Sequence, residues 1–345
     1  MCTTFILQND HSMLLGQNYD FYYGHGLIVV GKRGIQKESL KVNGQKSKTW
    51  TSNYGSVTLT QFGRELPISG MNEKGLTVAM MYHDDGQLPE EDERAVMNEL
   101  QWMQYQLDQF STVADVVDHL EEIRIVKSLY ALHYTVADAL GHVALIEFVH
   151  GIAQVIHDES YFVLSNSSFK ISKQYAEQFL QIPISKLSRK VNSLDRFTLA
   201  YRYVERIISD AQQAPSLIDE AFYVLKELSV LPSSNEDWGW VGEENPLTLT
   251  FWSVVFDLKH AEIHYIDNHN NNIRTIELNS LNFSKAEPTL CLRLDNELAG
   301  CVNTAFNPYT TEENERIIRL SFKPISDIVP LDEQLELAVY PEQFK

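Results

Sequence analysis

The chain opens Met1-Cys2-Thr3-Thr4-Phe5, and the reading given to Cys2 decides which fold is expected around it. Removing Met1 would leave a thiol and a free α-amine on one residue. A nucleophile and a base are then held together, which is one way to activate a weak nucleophile. The α-amine ordinarily titrates at about 8 and the thiol at about 8.5, both close to working pH. The plain alternative is a small residue opening a first strand, because buried free cysteine packs as a small hydrophobe. Cys2, Cys291 and Cys301 are odd in number and widely scattered, and no CxxC occurs. They make neither a disulfide framework nor a zinc ribbon, and they fit a reduced, cytoplasmic setting.

With 345 residues the chain exceeds the size at which single cores usually stop growing, about 250–300 residues, so one large or two smaller domains are open on length alone. The formal net charge of -19 disfavours a nucleic-acid partner, whose phosphates need clustered Lys and Arg, and disfavours docking on an anionic membrane. No basic segment precedes an apolar run with a small-residue cleavage site, and no stretch approaches the length of a membrane span.

Residues 3–82 read as strands and turns, consistent with one meandering antiparallel sheet. Thr3–Leu7 and Ser12–Gly16 suggest a hairpin, followed by Leu27–Val30, Ser56–Thr60 and Leu76–Tyr82, with turns at Asn43-Gly44 and Asn53-Tyr54-Gly55. From residue 93 the period changes. Val96, Leu100, Met103, Leu107 and Phe110 recur at helical spacing, and a second helix is expected from Thr112 to Ile123, with Asp115 completing a capping-box pattern. Strands return over 132–164, then helical patterns near 170–180, 193–209 and 215–228. A polar, Trp-bearing loop spans Pro232–Pro246. A long strand pair, Leu247–Leu258 and Glu262–Ile266, precedes Arg274–Leu278. The last fifty residues are poorly patterned apart from a helix near 311–320. Strands and helices fall in separate runs, which favours layered α+β over a parallel βαβ sheet.

Three further residues suit chemistry at Cys2. Asp20 ends the first hairpin, where a carboxylate would accept a hydrogen bond from the Cys2 amine and orient it; an Asx turn is the alternative. Asn166 lies between an apolar strand and a helix, where its amide would serve as an oxyanion donor or simply as a cap. Arg196 falls in the first turn of a helix; a cation near a thiol raises the thiolate fraction, whereas a surface pair with Asp195 or Glu205 would leave it idle. The eleven histidines show no clustering that suits a metal, since His260 and His264 sit in strand-like alternation. There is no GxxxxGK[ST], GxGxxG or GxSxG.

Met1-Cys2-Thr3-Thr4, Gly16-Gln17-Asn18-Tyr19-Asp20, Ser69-Gly70-Met71-Asn72-Glu73-Lys74-Gly75-Leu76, Leu164-Ser165-Asn166-Ser167 and Asp195-Arg196-Phe197 occur in that order. With this set the chain resembles the linear amide C–N hydrolases, the choloylglycine hydrolase family of penicillin V acylases and conjugated bile salt hydrolases. The resemblance covers roughly residues 2–280. It implies one N-terminal nucleophile hydrolase domain over residues 2–345, α+β, with a four-layer αββα sandwich of two mainly antiparallel sheets. It further implies that Cys2 is the nucleophile and its freed amine the base, that Asp20 holds the amine, and that Asn166 and the backbone N–H of Tyr82 bind the oxyanion, with Arg196 beside the thiol. Gln17, Asn18 and Tyr19 are expected to contact substrate. No cofactor or metal is implied.

Two features narrow the resemblance. Tyr82 stands where penicillin V acylases carry Tyr and bile salt hydrolases typically carry Asn. Gln17 stands where the family usually has Arg, and Gly-Gln-Asn-aromatic-Asp is similar to the acyltransferase branch related to isopenicillin N processing. The expected function is a cytoplasmic amidase that cleaves small N-acyl amides through a thioester, with a homo-oligomer left open. An acyltransferase and a non-catalytic binding protein that retains Met1 are the alternatives. Tyr19, Phe21, Tyr22, Tyr23, Tyr82, Trp238 and Trp240 are candidates to line an apolar acyl pocket.

Overall fold

The computed structural model describes residues 2–42, 44–128, 130–210, 216–231, 248–323 and 326–344. Two large sheets stack face to face. The first has seven strands in the spatial order Val163–Leu164, Cys2–Gln8, Met13–Phe21, Leu249–Asp257, Glu262–Asp267, Arg274–Glu277 and Gly300–Cys301. The second has nine, in the order Ile152–Ile156, Val143–Val149, Leu132–Ala137, Thr77–Tyr82, Pro67–Asn72, Ser56–Thr60, Leu27–Gly31, Leu290–Arg293 and Asn307–Pro308. Within these two sheets, among the described residues, the pairings are antiparallel except the terminal Arg274–Glu277/Gly300–Cys301 contact of the first.

The expected single meander over residues 3–82 is therefore corrected. The first hairpin belongs to one sheet, Leu27–Gly31, Ser56–Thr60, Pro67–Asn72 and Thr77–Tyr82 belong to the other, and Gln36–Glu38 pairs with Thr49–Thr51 in a two-stranded sheet of its own. The Met13–Phe21 strand pairs on its far side with the late strand Leu249–Asp257, 230 residues on at Asp20↔Thr250. Both strands are buried nearly throughout, so each needs neighbours on two edges and cover on two faces. A local hairpin signal carries no information about that distant partner.

The outer layers are helical. Helix α1 (Gln101–Gln109) and the short α2 (Val113–Asp118) lie on the nine-stranded side, where Asn72 Nδ2 bonds the carbonyls of Leu107 and Phe110 at 2.9 and 2.7 Å. Helices α3 (Phe169–Glu177), α4 (Ser193–Ser209) and α5 (Leu217–Leu228) cover the seven-stranded sheet. Thr112, Asn192 and Ser216 cap α2, α4 and α5 by accepting the N–H three residues on. This arrangement is the four-layer αββα sandwich.

Three helical expectations move. Val96 lies in a strand, Ala95–Asn98, paired in parallel with Ile123–Val126, and α1 starts only after Asn98 accepts the Gln101 N–H at 2.6 Å. Spacings of three and four are met by a strand and turn running into a helix, so periodicity misplaced the start. Ile123 likewise sits in the partner strand. The helix expected near 311–320 is α6 (Thr311–Phe322), while the rest of the poorly patterned C-terminus adds α7 (Leu331–Val339). Asn43, the Pro232–Pro246 loop with Trp238 and Trp240, and Leu247 lie outside the described residues.

Helices α6 and α7 are stitched to the nine-stranded sheet through buried Asn314. Its Oδ1 accepts the Arg64 N–H at 2.8 Å and its Nδ2 donates to Ala338 O at 3.0 Å. Asn314→Ala would leave a buried donor and a buried acceptor unmade, and is expected to lower unfolding stability by about 1–3 kcal/mol in urea titration.

Candidate active site

Cys2 begins the first strand and faces Tyr19 across the hairpin. Its backbone nitrogen donates to Asn166 Oδ1 at 3.2 Å, and its Sγ lies 3.8 Å from Asp20 O. Arg196, one turn into α4, is buried, and its guanidinium donates to Cys2 O at 2.7 Å, to Val191 O at 2.9 Å, and to Thr3 Oγ1 and Asn166 Oδ1. The Asp20 carboxylate lies 3.8 Å from the same guanidinium and accepts the Thr250 hydroxyl at 2.6 Å. Arg196 thus spends its donors inside the site, not on Asp195 or Glu205. Asp195 instead takes hydrogen bonds from Ser188, Asn192 and Tyr175. The Cys2 backbone N–H donates to Asn166, and Asp20, which the sequence pairs with the freed amine, lies beside Arg196.

Burial disfavours the thiolate at Cys2. Burial pushes the Cys2 thiol up, Asp20 adds to that, and Arg196 opposes it. Burial also raises the Asp20 carboxyl, with Arg196 pulling it down. A thiol in this state needs a base before it can attack.

Asn166 Nδ2 donates to Tyr82 O at 2.8 Å. The next residue, His83, gives its N–H to Ala131 O at 2.9 Å. Successive residues of an antiparallel strand turn their N–H and C=O to opposite sides. The Tyr82 N–H therefore points away from the Leu132–Ala137 strand, on the same side as the Tyr82 carbonyl that Asn166 holds.

Cys2 opens on a cavity of about 160 Å³. Tyr19, Phe21, Tyr22 and Tyr82 line it as the sequence suggested, and Phe62 and Tyr130 complete an aromatic wall. Tyr19 stacks on Trp252 with ring centroids 4.1 Å apart, and Tyr82 meets Tyr130 edge-on at 5.5 Å. Gln17 and Asn18 do not line the cavity. Gln17 lies between the sheets, with Nε2 on Met80 O at 2.9 Å and Oε1 buried without a described partner. Asn18 faces the helical layer, bonded to Leu225 O at 2.8 Å and to the Ser253 hydroxyl at 2.6 Å. Strand alternation turns Asn18 to the opposite face, and Gln17, on the same face as Tyr19, has its amide tied to Met80 O, so Tyr19 alone of the three lines the cavity. Tyr23 packs on Phe21 outside it.

Residues the sequence did not single out hold the Asn166 loop. The Ser193 hydroxyl accepts the N–H groups of Asn166 and Ser167 at 3.0 and 2.8 Å. His133 sits with Nε2 2.6 Å from Ser165 O and Nδ1 3.1 Å from Glu147, whose same oxygen accepts the Phe169 N–H at 2.8 Å. His83 stacks on His133 at 4.4 Å, so two histidines fifty residues apart do cluster, because Met81↔His133 pairing brings their strands together. The available signal was polar residues inside apolar strands, Leu132-His133-Tyr134 and Ile146-Glu147-Phe148. Among the described residues, His83, His133 and Glu147 converge closely enough to suggest a metal. The ring planes, however, are only 11° apart, and both His133 nitrogens already face oxygen atoms. An ion lies in the plane of each imidazole it binds, and two stacked planes do not meet at one ion. The cluster serves hydrogen bonding.

The family model that matches this chain is that of linear amide C-N hydrolases, choloylglycine hydrolase family, over residues 2–291. The chain belongs to that family, and its members are amide hydrolases. A penicillin V acylase from Pectobacterium atrosepticum is 26% identical over 265 residues, 70% of each chain. The solved penicillin V acylase of Agrobacterium tumefaciens superposes with a TM-score of 0.77 at 24% identity, covering 90% of this chain and 98% of its own. The C2A mutant of conjugated bile acid hydrolase from Clostridium perfringens gives 0.72 at 19%, covering 87% and 98%. Both share the N-terminal nucleophile hydrolase fold. Among the described residues no helix is long and apolar enough to cross a membrane.

Burial lowers the His83 imidazole from its ordinary value near 6.5 to about 4, with His133 adding to the effect and Glu147 opposing it. The unfolded chain protonates His83 below pH 6.5 while the folded chain does not, so this group makes stability fall as pH drops from 6.5 to 4. His83→Asn is expected to flatten the stability–pH curve in that window, measured by denaturant unfolding against the parent protein.

Proposed function

We propose that this protein, acting as one domain over residues 2–345 in the cytoplasm, hydrolyses linear N-acyl amides with Cys2 as an N-terminal nucleophile. The observation that carries the reading is the convergence of Asp20, Asn166 and Arg196 around Cys2, which with Asp20 lines an aromatic cavity. Once Met1 is removed, the Cys2 nitrogen is an amine. It takes the thiol proton as sulfur attacks the amide carbonyl. Asp20 and the Asn166 oxygen orient the amine, and Arg196 fixes Asn166 and the Cys2 carbonyl. An amide nitrogen has two hydrogens. With one Asn166 hydrogen on Tyr82 O, the other and the Tyr82 N–H meet the oxyanion. The leaving amine collects the proton, a thioester remains on sulfur, and water attacks it to release the acid and restore the thiol.

The cavity volume favours the acyl group of penicillin V over that of a bile salt. A dry cavity of about 150 Å³ holds one benzene ring, and a four-ring steroid acid is far larger. The aromatic walls suit an aryl ring in offset or edge-on contact. The three unpaired cysteines fit a reducing compartment.

Cys2→Ala and Cys2→Ser are expected to abolish amide hydrolysis, and near-parental rates in either would sink the reading. Asn166→Ala removes one oxyanion donor and is expected to lower kcat about 100- to 1000-fold, roughly 2.7–4 kcal/mol. A substrate panel of penicillin V, conjugated bile salts and N-acyl homoserine lactones should show penicillin V cleaved and bile salts refused. Added acceptor amines should yield hydrolysis product, and a dominant transfer product would reassign the chain to acyl transfer.

A further inference from the structure

The Cys2 cavity has a larger neighbour. A cleft of about 930 Å³ lies behind it, and the two share the walls Phe62, Glu99 and Leu100. Phe62 stands between them. Its ring meets Phe21, on the Cys2 side, edge-on at 6.1 Å, and meets Phe322, on the cleft side, at 5.3 Å. We propose that Phe62 determines acyl specificity by closing the Cys2 cavity off from this cleft, so that ring-sized acyl groups are accepted and long acyl chains are not. This rests on the amidase reading above.

The gate is fixed rather than loose. The Thr60 hydroxyl lies 2.6 and 2.7 Å from the carbonyls of Gly63 and Leu66, which closes the turn that carries Phe62. Gly63 has φ +100°, and a Cβ there would come within 2.7 Å of Ile318, so the turn packs directly on α6. Ser321 donates to Gln61 O at 2.7 Å, and Asn314 accepts the Arg64 N–H. Helices α6 and α7 therefore set the position of Phe62 and also wall the far cleft, through Phe322 and Leu337. The matched family region ends at residue 291, so the elements that hold the gate lie beyond it. Phe62, Leu66, Leu100, Phe322 and Leu337 form an apolar path along which a methylene chain would run once the ring is gone.

The test compares kcat/KM for N-decanoyl and N-phenoxyacetyl amides of one amine, in the parent, Phe62→Leu, Phe62→Ala and Phe62→Ala/Leu337→Trp proteins. The ratio of two substrates on one preparation is independent of how much of that preparation is folded. A single methylene in an apolar pocket changes selectivity about tenfold or more. Phe62→Ala is therefore expected to raise the decanoyl/phenoxyacetyl ratio at least about tenfold, Phe62→Leu less, and Leu337→Trp to reverse the gain by filling the cleft. An unchanged ratio in Phe62→Ala, or a gain that Leu337→Trp leaves intact, overturns the proposal. Calorimetry with free decanoate and phenoxyacetate reads the gate without catalysis. If no protein cleaves either amide, the amidase reading fails, while tighter decanoate binding in Phe62→Ala alone still supports the gate and equal binding overturns it.

Discussion

A buried guanidinium organises the Cys2 end of this molecule. A charge taken out of water is tolerable only when it is paired and its donors are used. Arg196 meets that requirement with Cys2 O, Thr3 Oγ1, Asn166 Oδ1 and Val191 O, with Asp20 3.8 Å away. Those partners come from the first strand, the second strand, the loop before α3 and the segment before α4. Breaking such an arrangement by deleting one member typically costs about 3–5 kcal/mol. The same bonds that neutralise the cost of burying Arg196 therefore hold the Cys2 backbone and the Asn166 amide in fixed relation.

Around that centre the sheets divide the work. The seven-stranded sheet carries Cys2 and Asp20. The nine-stranded sheet brings Tyr82, and the Asn166 side chain bridges the two. Behind the loop, His133 and Glu147 hold Ser165 and Phe169 on either side of Asn166. Those two are buried polar groups bonded to each other and to the loop, which is how an otherwise irregular segment is kept in one conformation.

Much of this was legible in the residues. The four-layer class followed from the family resemblance, and the separation of strand runs from helix runs pointed to layered α+β. Cys2, Asp20, Asn166 and Arg196 were singled out because each residue type at its position suits one part of acyl transfer. The rest was hidden for physical reasons. The partner of the Met13–Phe21 strand lies far along the chain, and pairing at that distance leaves no local pattern. Val96 and Leu100 kept helical spacing across a strand and a turn. Asn18 was expected at the substrate, but period-two alternation turns it to the opposite face from Tyr19. The His83–His133 stack, likewise, exists only because two strands pair in a particular register.

The central claim is that Cys2 acts with its own freed amine. It is tested most directly by peptide mass mapping of the purified protein after brief exposure to penicillin V and acid quenching. The account predicts an N-terminal peptide that begins at Cys2 and carries one phenoxyacetyl group on sulfur. A peptide that still begins at Met1 in active protein, or an acyl group on any other residue, would contradict it.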